Sequence, residues 1–207
     1  MAALGLSTDP TLLNARRIGE LFQALDTKLD DVSIRNHVEL VVVGGAAVAL
    51  QWNRRRTTYD VDVVAEGIPA VFWDVAAAVG RDAGLEDDWM NAAARVKAPT
   101  GPTPGEPTEI YAGSNLRVYG ASPHYVLAMK LLTGRNVDLQ DLPVLLDAVQ
   151  PETRDELYDL VEHAYPTAHI PAAARYIIEQ SWDDYIADRP SRELPDRRPS
   201  IGPGLDL

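Results

Sequence analysis

The chain has no cysteine, no long apolar run and a shortage of basic residues. Without cysteine there can be neither a disulfide nor a thiolate metal site, which suits a reducing compartment. No apolar stretch approaches the roughly 18 to 20 residues that span a bilayer, because charges or Gly-Gly break the longest ones. The opening MAALGLSTDP has no basic segment leading into an apolar one, so no signal peptide is expected, and the expected location is cytoplasmic with no membrane partner. Lys and Arg number 19 against 31 Asp and Glu, for a net charge of -12. That balance argues against gripping nucleic acid over the whole surface, and a DNA partner is not expected. Any phosphate-bearing partner must meet a local basic patch.

At 207 residues and 46% hydrophobic content the chain can bury a substantial core. From Thr11 to about Leu29, Leu12, Leu13, Ile18, Leu21, Phe22 and Leu25 recur at helical spacing. HVELVVV has the branched residues of a strand, ends in Gly44-Gly45, and is followed by AAVALQW, a short helix. TTYDVDVVAE reads as a second strand and Ile68 to Gly84 as a helix. KAPTGPTPGEPT carries four prolines and two glycines, so it is a surface loop. RVKA, TEIYAG and NLRVYGA around it read as short strands, the last two joined by a turn at Gly113-Ser114-Asn115. After Ser122-Pro123 the pattern is helical in PHYVLAMKLLTG, DLQDLPVLLDAV, PETRDELYDLVEHA and PAAARYIIEQSWDDYIA. The expectation is an α+β fold: a small mixed sheet flanked by helices over 1–121, a helical part over 122–188, and a disordered tail over 189–207.

Asp60 and Asp62 are the unusual pair. Side chains alternate along a strand, so these two carboxylates share one face, while Tyr59, Val61 and Val63 share the other. Neighbouring carboxylates repel and are costly to desolvate unless a cation or hydrogen-bond donors neutralise them. One solution is Mg²⁺, which takes one or two protein carboxylates and completes its shell with substrate phosphates. The other is an edge strand with both groups facing water, paired to Arg54, Arg55 or Arg56. Gly44-Gly45 is equally double-sided: a tight turn needing small residues, or backbone N–H groups at a helix start that hold a phosphate. It matches neither the P-loop nor the dinucleotide pattern.

Further along, Lys130 is the sole charge of an apolar helix, so its stem must be buried and its ammonium must emerge, either into solvent or beside a phosphate. Asp138 and Asp141 lie three apart, where an N-cap and a favourable helix-dipole position account for them as well as a site does.

In combination these elements resemble the nucleotidyltransferase superfamily related to DNA polymerase β, whose signature is Gly-[Gly/Ser], a short helix and D-x-D on the next strand. R-T-T-Y-D-V-D, E-D-D-W-M-N-A-A-A and A-M-K-L-L-T-G-R-N-V-D-L-Q-D-L resemble the branch holding the AbiE-type and MenT-type bacterial toxins. The resemblance runs from about Val41 to Leu146, roughly half the chain. It implies Asp60 and Asp62 as ligands of catalytic Mg²⁺ or Mn²⁺, and Gly44 and Gly45 as the triphosphate-binding turn. It further implies Lys130 and Asp141 as catalytic, with Arg135 and Asp138 supporting them, and Arg56 and Thr58 as orienting the strand or touching phosphate. Trp89 and Asn91 fall in its D-W-x-N element with structural roles. Gly-Gly-Ala stands where many relatives have Gly-Ser, and the gap from Gly45 to Asp60 is longer than in compact members. The superfamily's third carboxylate has only Glu109 as a strand candidate, and Asp141 fits better.

The implied activity is transfer of a nucleoside monophosphate from an NTP to an acceptor, the tRNA 3′ end in the resembling toxins, with a cognate antitoxin as partner. The alternatives are transfer to a protein hydroxyl, which the acidic charge favours, and an inert nucleotidyltransferase-like binding protein.

Overall fold

The computed structural model describes residues 9–32 and 37–188; the tail expected over 189–207 lies outside them. Helix α1 (Ala15–Leu29) buries Ile18, Leu21, Phe22, Leu25 and Leu29, and the side chain of its N-cap Asn14 accepts from the Arg17 amide. Leu13, expected inside this helix, instead bridges Thr58, with backbone N–O distances of 2.7 and 2.9 Å in the two directions. That bridge pins the segment that leads into Asp60 and the strand beginning at Val61.

Strand β1 (Val38–Val42) runs into helix α2 (Gly44–Gln51), and β2 (Val61–Val64) into helix α3 (Ala70–Asp82). Strand β3 (Met90–Asn91) precedes a 3-10 turn over Ala93–Lys97, and β4 (Thr108–Ala112) and β5 (Leu116–Gly120) form a hairpin. RVKA therefore forms a turn and not the expected strand. Its cause is local: the Asn91 side chain accepts from the Ala93 amide at 2.9 Å, which starts the turn before a strand can extend.

The sheet order is β3-β2-β1-β5-β4, with β1 antiparallel to β2 and parallel to β5. Buried Val38, Leu40 and Val42 alternate with Glu39 and Val41 along β1, which sets one face of the sheet on the helices.

The helical remainder comprises α4 (Pro123–Thr133), α5 (Asn136–Leu139), α6 (Leu142–Val149), α7 (Arg154–Ala164) and α8 (Ala172–Asp188). Ser122 caps α4, with Pro123 opening the helix, as its sequence demands. DLQDLPVLLDAV, expected as one helix, breaks between Leu139 and Leu142. Pro143 cannot donate to a carbonyl one turn back, so the helix restarts with proline in its first turn. Helix α4 packs against α6, α7, α8 and α2. One buried apolar cluster continues through both parts, from Phe22 and Val42 to Leu127, Leu145 and Ile178. Among the described residues, no helix is long and apolar enough to cross a membrane.

Candidate active site

The carboxylate pair faces the start of α2. Val43 donates its amide to the Asp62 carbonyl at 2.9 Å, so the turn leaving β1 lies against β2. Gly44 has a φ of 64°, and a Cβ there would sit 3.3 Å from Asp62 Oδ2. Glycine meets both demands, the left-handed backbone and the close approach. Gly45 is different: its missing Cβ points at Thr58 Oγ1, 3.1 Å away. Its role is packing, and Thr58 in turn stands 3.4 Å from Asp60 Oδ1, its hydroxyl donating. Helix α2 has no side-chain cap, which leaves its first amides available to an anion.

Gly44, Asp60 and Asp62 share a cleft of about 400 Å³ with Asp88, Asn91, Lys97, Lys130, Arg135 and Asp138, among others. The expected residues Lys130, Arg135 and Asp138 thus meet the D-x-D pair. Asp141, Arg56, Thr58 and Gly45 stand behind the wall. Glu109 lies exposed on β4, at the opposite edge of the sheet from β3. A roomier groove of about 500 Å³ between α6 and α8 has Asp147, Asp184 and Asp188 on its walls but no basic side chain, so a phosphate has no reason to choose it.

Lys130 does not project an unpaired ammonium into the cleft. Its Nζ donates to Asp138 Oδ1 at 2.8 Å and lies 2.9 Å from Asp141 Oδ2, with all three side chains buried. Arg56 holds Asp141 from the other side, Nε to Oδ1 at 2.8 Å, and Arg135 holds Asp138, Nε to Oδ2 at 3.0 Å. Three cations and two carboxylates form a chain with one net positive charge, tying the segment before β2 to α4, α5 and α6. Buried charges are tolerated because each has partners. Burial pushes the Asp138 carboxyl up, but hydrogen bonds and charge from Lys130 and Arg135 outweigh it and hold the group below the ordinary carboxylate range.

Asp62 has no such cover. Burial, and then the charge of Asp60, push its pKa up to about 6, against the opposing pull of Arg135, Lys97 and Lys130. A carboxylate that costs this much to ionise is suited to a divalent cation, which supplies the missing charge. Among the described residues no group of three or more His, Cys, Asp or Glu is placed to hold an ion. A two-carboxylate site fits Mg²⁺, whose remaining ligands are water and substrate phosphates.

Lys97 and Asp88 escaped the sequence reading. Asp88 belongs to the quoted EDDWMNAAA, but Lys97 lay in RVKA, where a strand was expected and its direction could not be read. Trp89 is buried, donating Nε1–H to the Ala76 carbonyl at 2.7 Å, and Gly80 leaves room for its ring. The Asn91 side chain builds the turn carrying Lys97.

Residues 20–97 match the model of a family described as "Nucleotidyltransferase of unknown function (DUF6036)". The matched stretch holds the glycine turn and both Asp60 and Asp62, and it ends at Lys97. Over that stretch the chain is similar to a nucleotidyltransferase family. The match supports the nucleotidyltransferase class and does not extend to the MenT and AbiE branch. No curated protein and no solved structure matches the chain.

Proposed function

We propose that the protein is a metal-dependent nucleotidyltransferase that moves a nucleoside monophosphate from an NTP to a hydroxyl acceptor. The observation that carries the reading is the pair Asp60 and Asp62, which among the described residues no Lys or Arg engages in an ion pair, set against the uncapped start of α2 in a cleft that also has Lys97, Lys130 and Arg135 on its walls. Asp60 and Asp62 hold the ion, Mg²⁺ or Mn²⁺, which as a Lewis acid neutralises charge on the phosphoryl oxygens. The Gly44 turn and the α2 amides receive phosphate, where bare N–H groups and the helix dipole favour an anion. Lys130, Asp138, Asp141 and Arg56 act as positioning residues, since Asp141 is fully buried with both oxygens engaged. Together with Arg135 they carry one net positive charge beside the cleft that would receive the triphosphate.

The acceptor that the family resemblance supports is the tRNA 3′ end, with the protein serving as the toxin of a pair whose antitoxin restrains it. A second acceptor, a protein hydroxyl, is favoured by the net charge of -12, because a polynucleotide binder gains affinity from Lys and Arg.

The experiment incubates the protein with each labelled NTP, Mg²⁺ or Mn²⁺, total tRNA and the product of the neighbouring gene. Label on tRNA that Asp62→Asn abolishes supports the first acceptor, and label on protein the second. No transfer to either, with a growth phenotype unchanged by Asp60→Ala, overturns the enzymatic reading in favour of an inert binding protein.

A further inference from the structure

The cleft has three basic side chains on its walls, Lys97, Lys130 and Arg135. Two are already engaged: Lys130 by Asp138 and Asp141, and Arg135 by Asp138. Arg56 behind the wall is engaged by Asp141. Among the described residues, Lys97 is the one cation of the cleft that no carboxylate holds. It is also exposed, so an incoming anion can reach it without breaking a pair.

An exposed lysine normally wanders, yet the backbone that carries this one is held at both ends. At its start, the Asn91 side chain accepts from the Ala93 amide and Ala94 is buried beneath the turn. At its end, the Tyr165 hydroxyl donates to the Lys97 carbonyl at 2.8 Å. The amides of Thr100 and Gly101 both donate to the Ala164 carbonyl, at 3.0 and 2.9 Å. The fit is tight: a Cβ on Gly101 would fall 1.9 Å from the His163 carbonyl oxygen. Tyr165 is itself buried, and burial pushes its phenol pKa further up, so it remains a donor. The end of α7 thus clasps the 97–101 segment, and the lysine it holds in place lines the cleft with Asp60 and Asp62.

We infer that Lys97 binds the phosphates of the nucleotide beyond the one that is transferred, and that Tyr165 positions it from the C-terminal helices. The inference rests on the nucleotidyltransferase reading, and it gives the helical part a share in substrate binding. It also distributes the charges sensibly. Asp60 and Asp62 would hold the ion, the cations of the buried network are already engaged by Asp138 and Asp141, and the remaining phosphates would meet Lys97 as a point charge.

Calorimetric titration of the full chain with NTP and with inorganic triphosphate, each with Mg²⁺, tests this. Lys97→Ala should weaken both by about ten-fold or more, and Lys97→Arg should keep affinity within about three-fold, because a charge-assisted hydrogen bond is lost in one and replaced in the other. Tyr165→Phe should cost about three-fold alone and nothing further in the Lys97→Ala background, a coupling that general loosening of the fold would not produce. Wild-type binding that Lys97→Ala leaves unchanged overturns this inference and leaves the nucleotidyltransferase reading standing. If the wild type binds no NTP with either Mg²⁺ or Mn²⁺, both fall.

Discussion

Two pairs of aspartates stand at and behind one cleft, Asp60 with Asp62 on its wall and Asp138 with Asp141 running from the wall to behind it, and their surroundings are opposite. The second pair is the more deeply buried, yet it is settled: Lys130, Arg56 and Arg135 reach its oxygens at 2.8 to 3.0 Å. The first pair is only half-buried, yet it is strained, and Asp62 is pushed up to about 6. Depth therefore does not decide which acids are left short of partners. A carboxylate with its full set of donors has nothing left to offer a metal, whereas one that lacks them is stabilised by an arriving ion. On the proposed function the front pair is the binding site and the rear pair a strut.

The largest expected effect breaks the front pair. Asp60→Asn and Asp62→Asn should each reduce labelled-nucleotide transfer by at least about 1,000-fold, because the ion's charge on the phosphoryl group is lost, while the melting temperature stays level or rises. A loss below ten-fold in both would mean that the pair holds no essential ion. The next effect breaks the rear pair. Lys130→Met leaves Asp138 and Asp141 short of their shared donor and should cost about 3–5 kcal/mol in urea unfolding. Lys97→Met on the exposed turn should stay within about 0.5 kcal/mol. Equal costs for the two lysines would remove the distinction between strut and site.

The distinction was half legible in the sequence. The front pair announces itself because alternation along a strand puts Asp60 and Asp62 on one face, and Gly44-Gly45 marks where the chain turns toward them. Lys130 was legible as an anomaly, a charge in an apolar helix, but its direction was not. Asp138 and Asp141 suit helix starts so well that a long-range pairing, 85 residues from Arg56 to Asp141, leaves no local mark. Lys97 was hidden for a related reason: RVKA has a strand's composition, and the Asn91 side chain bonding forward to Ala93 decides the turn. Local rules found what local geometry fixes, and partners across the fold stayed out of reach.

A third effect reads the two pairs by pH. The folded chain holds the Asp62 proton more tightly than the unfolded chain, so this carboxyl's contribution to stability is full below 3.8 and lost as pH rises through about 6. Asp138 runs the other way: its folded value is lowered, so its contribution is present above 3.8 and lost as pH falls. Wild type minus Asp62→Asn should therefore decline in unfolding free energy between about pH 4 and 6 and then level off. Wild type minus Asp138→Asn should grow as pH rises from the acid side. Mg²⁺ should restore wild-type stability above pH 6 and leave Asp62→Asn unmoved, because an ion that binds only the folded carboxylate pair stabilises by mass action. Parallel pH profiles for the two variants would contradict the assignment.

The smallest effect separates the two glycines that front the first pair. Gly44→Ala forces a side chain into a left-handed backbone and brings its Cβ within 3.3 Å of Asp62 Oδ2, which should cost about 1–2 kcal/mol. Gly45→Ala has ordinary backbone and meets the Thr58 hydroxyl at 3.1 Å, which can yield by a few tenths of an ångström, and the Arg56 guanidinium at an ordinary 3.6 Å, so its cost should stay below about 1 kcal/mol. Affinity separates them further. An alanine at 44 moves the Asp62 oxygen that would face the ion and crowds the start of α2, so Gly44→Ala should weaken Mg²⁺-dependent NTP binding, whereas Gly45→Ala, directed away from the cleft, should leave it near wild type. Calorimetry and urea unfolding on the two variants measure both quantities. Equal losses of affinity would mean that phosphate reaches the Gly45 side of the turn as well, and would move the nucleotide toward Thr58 and Arg56.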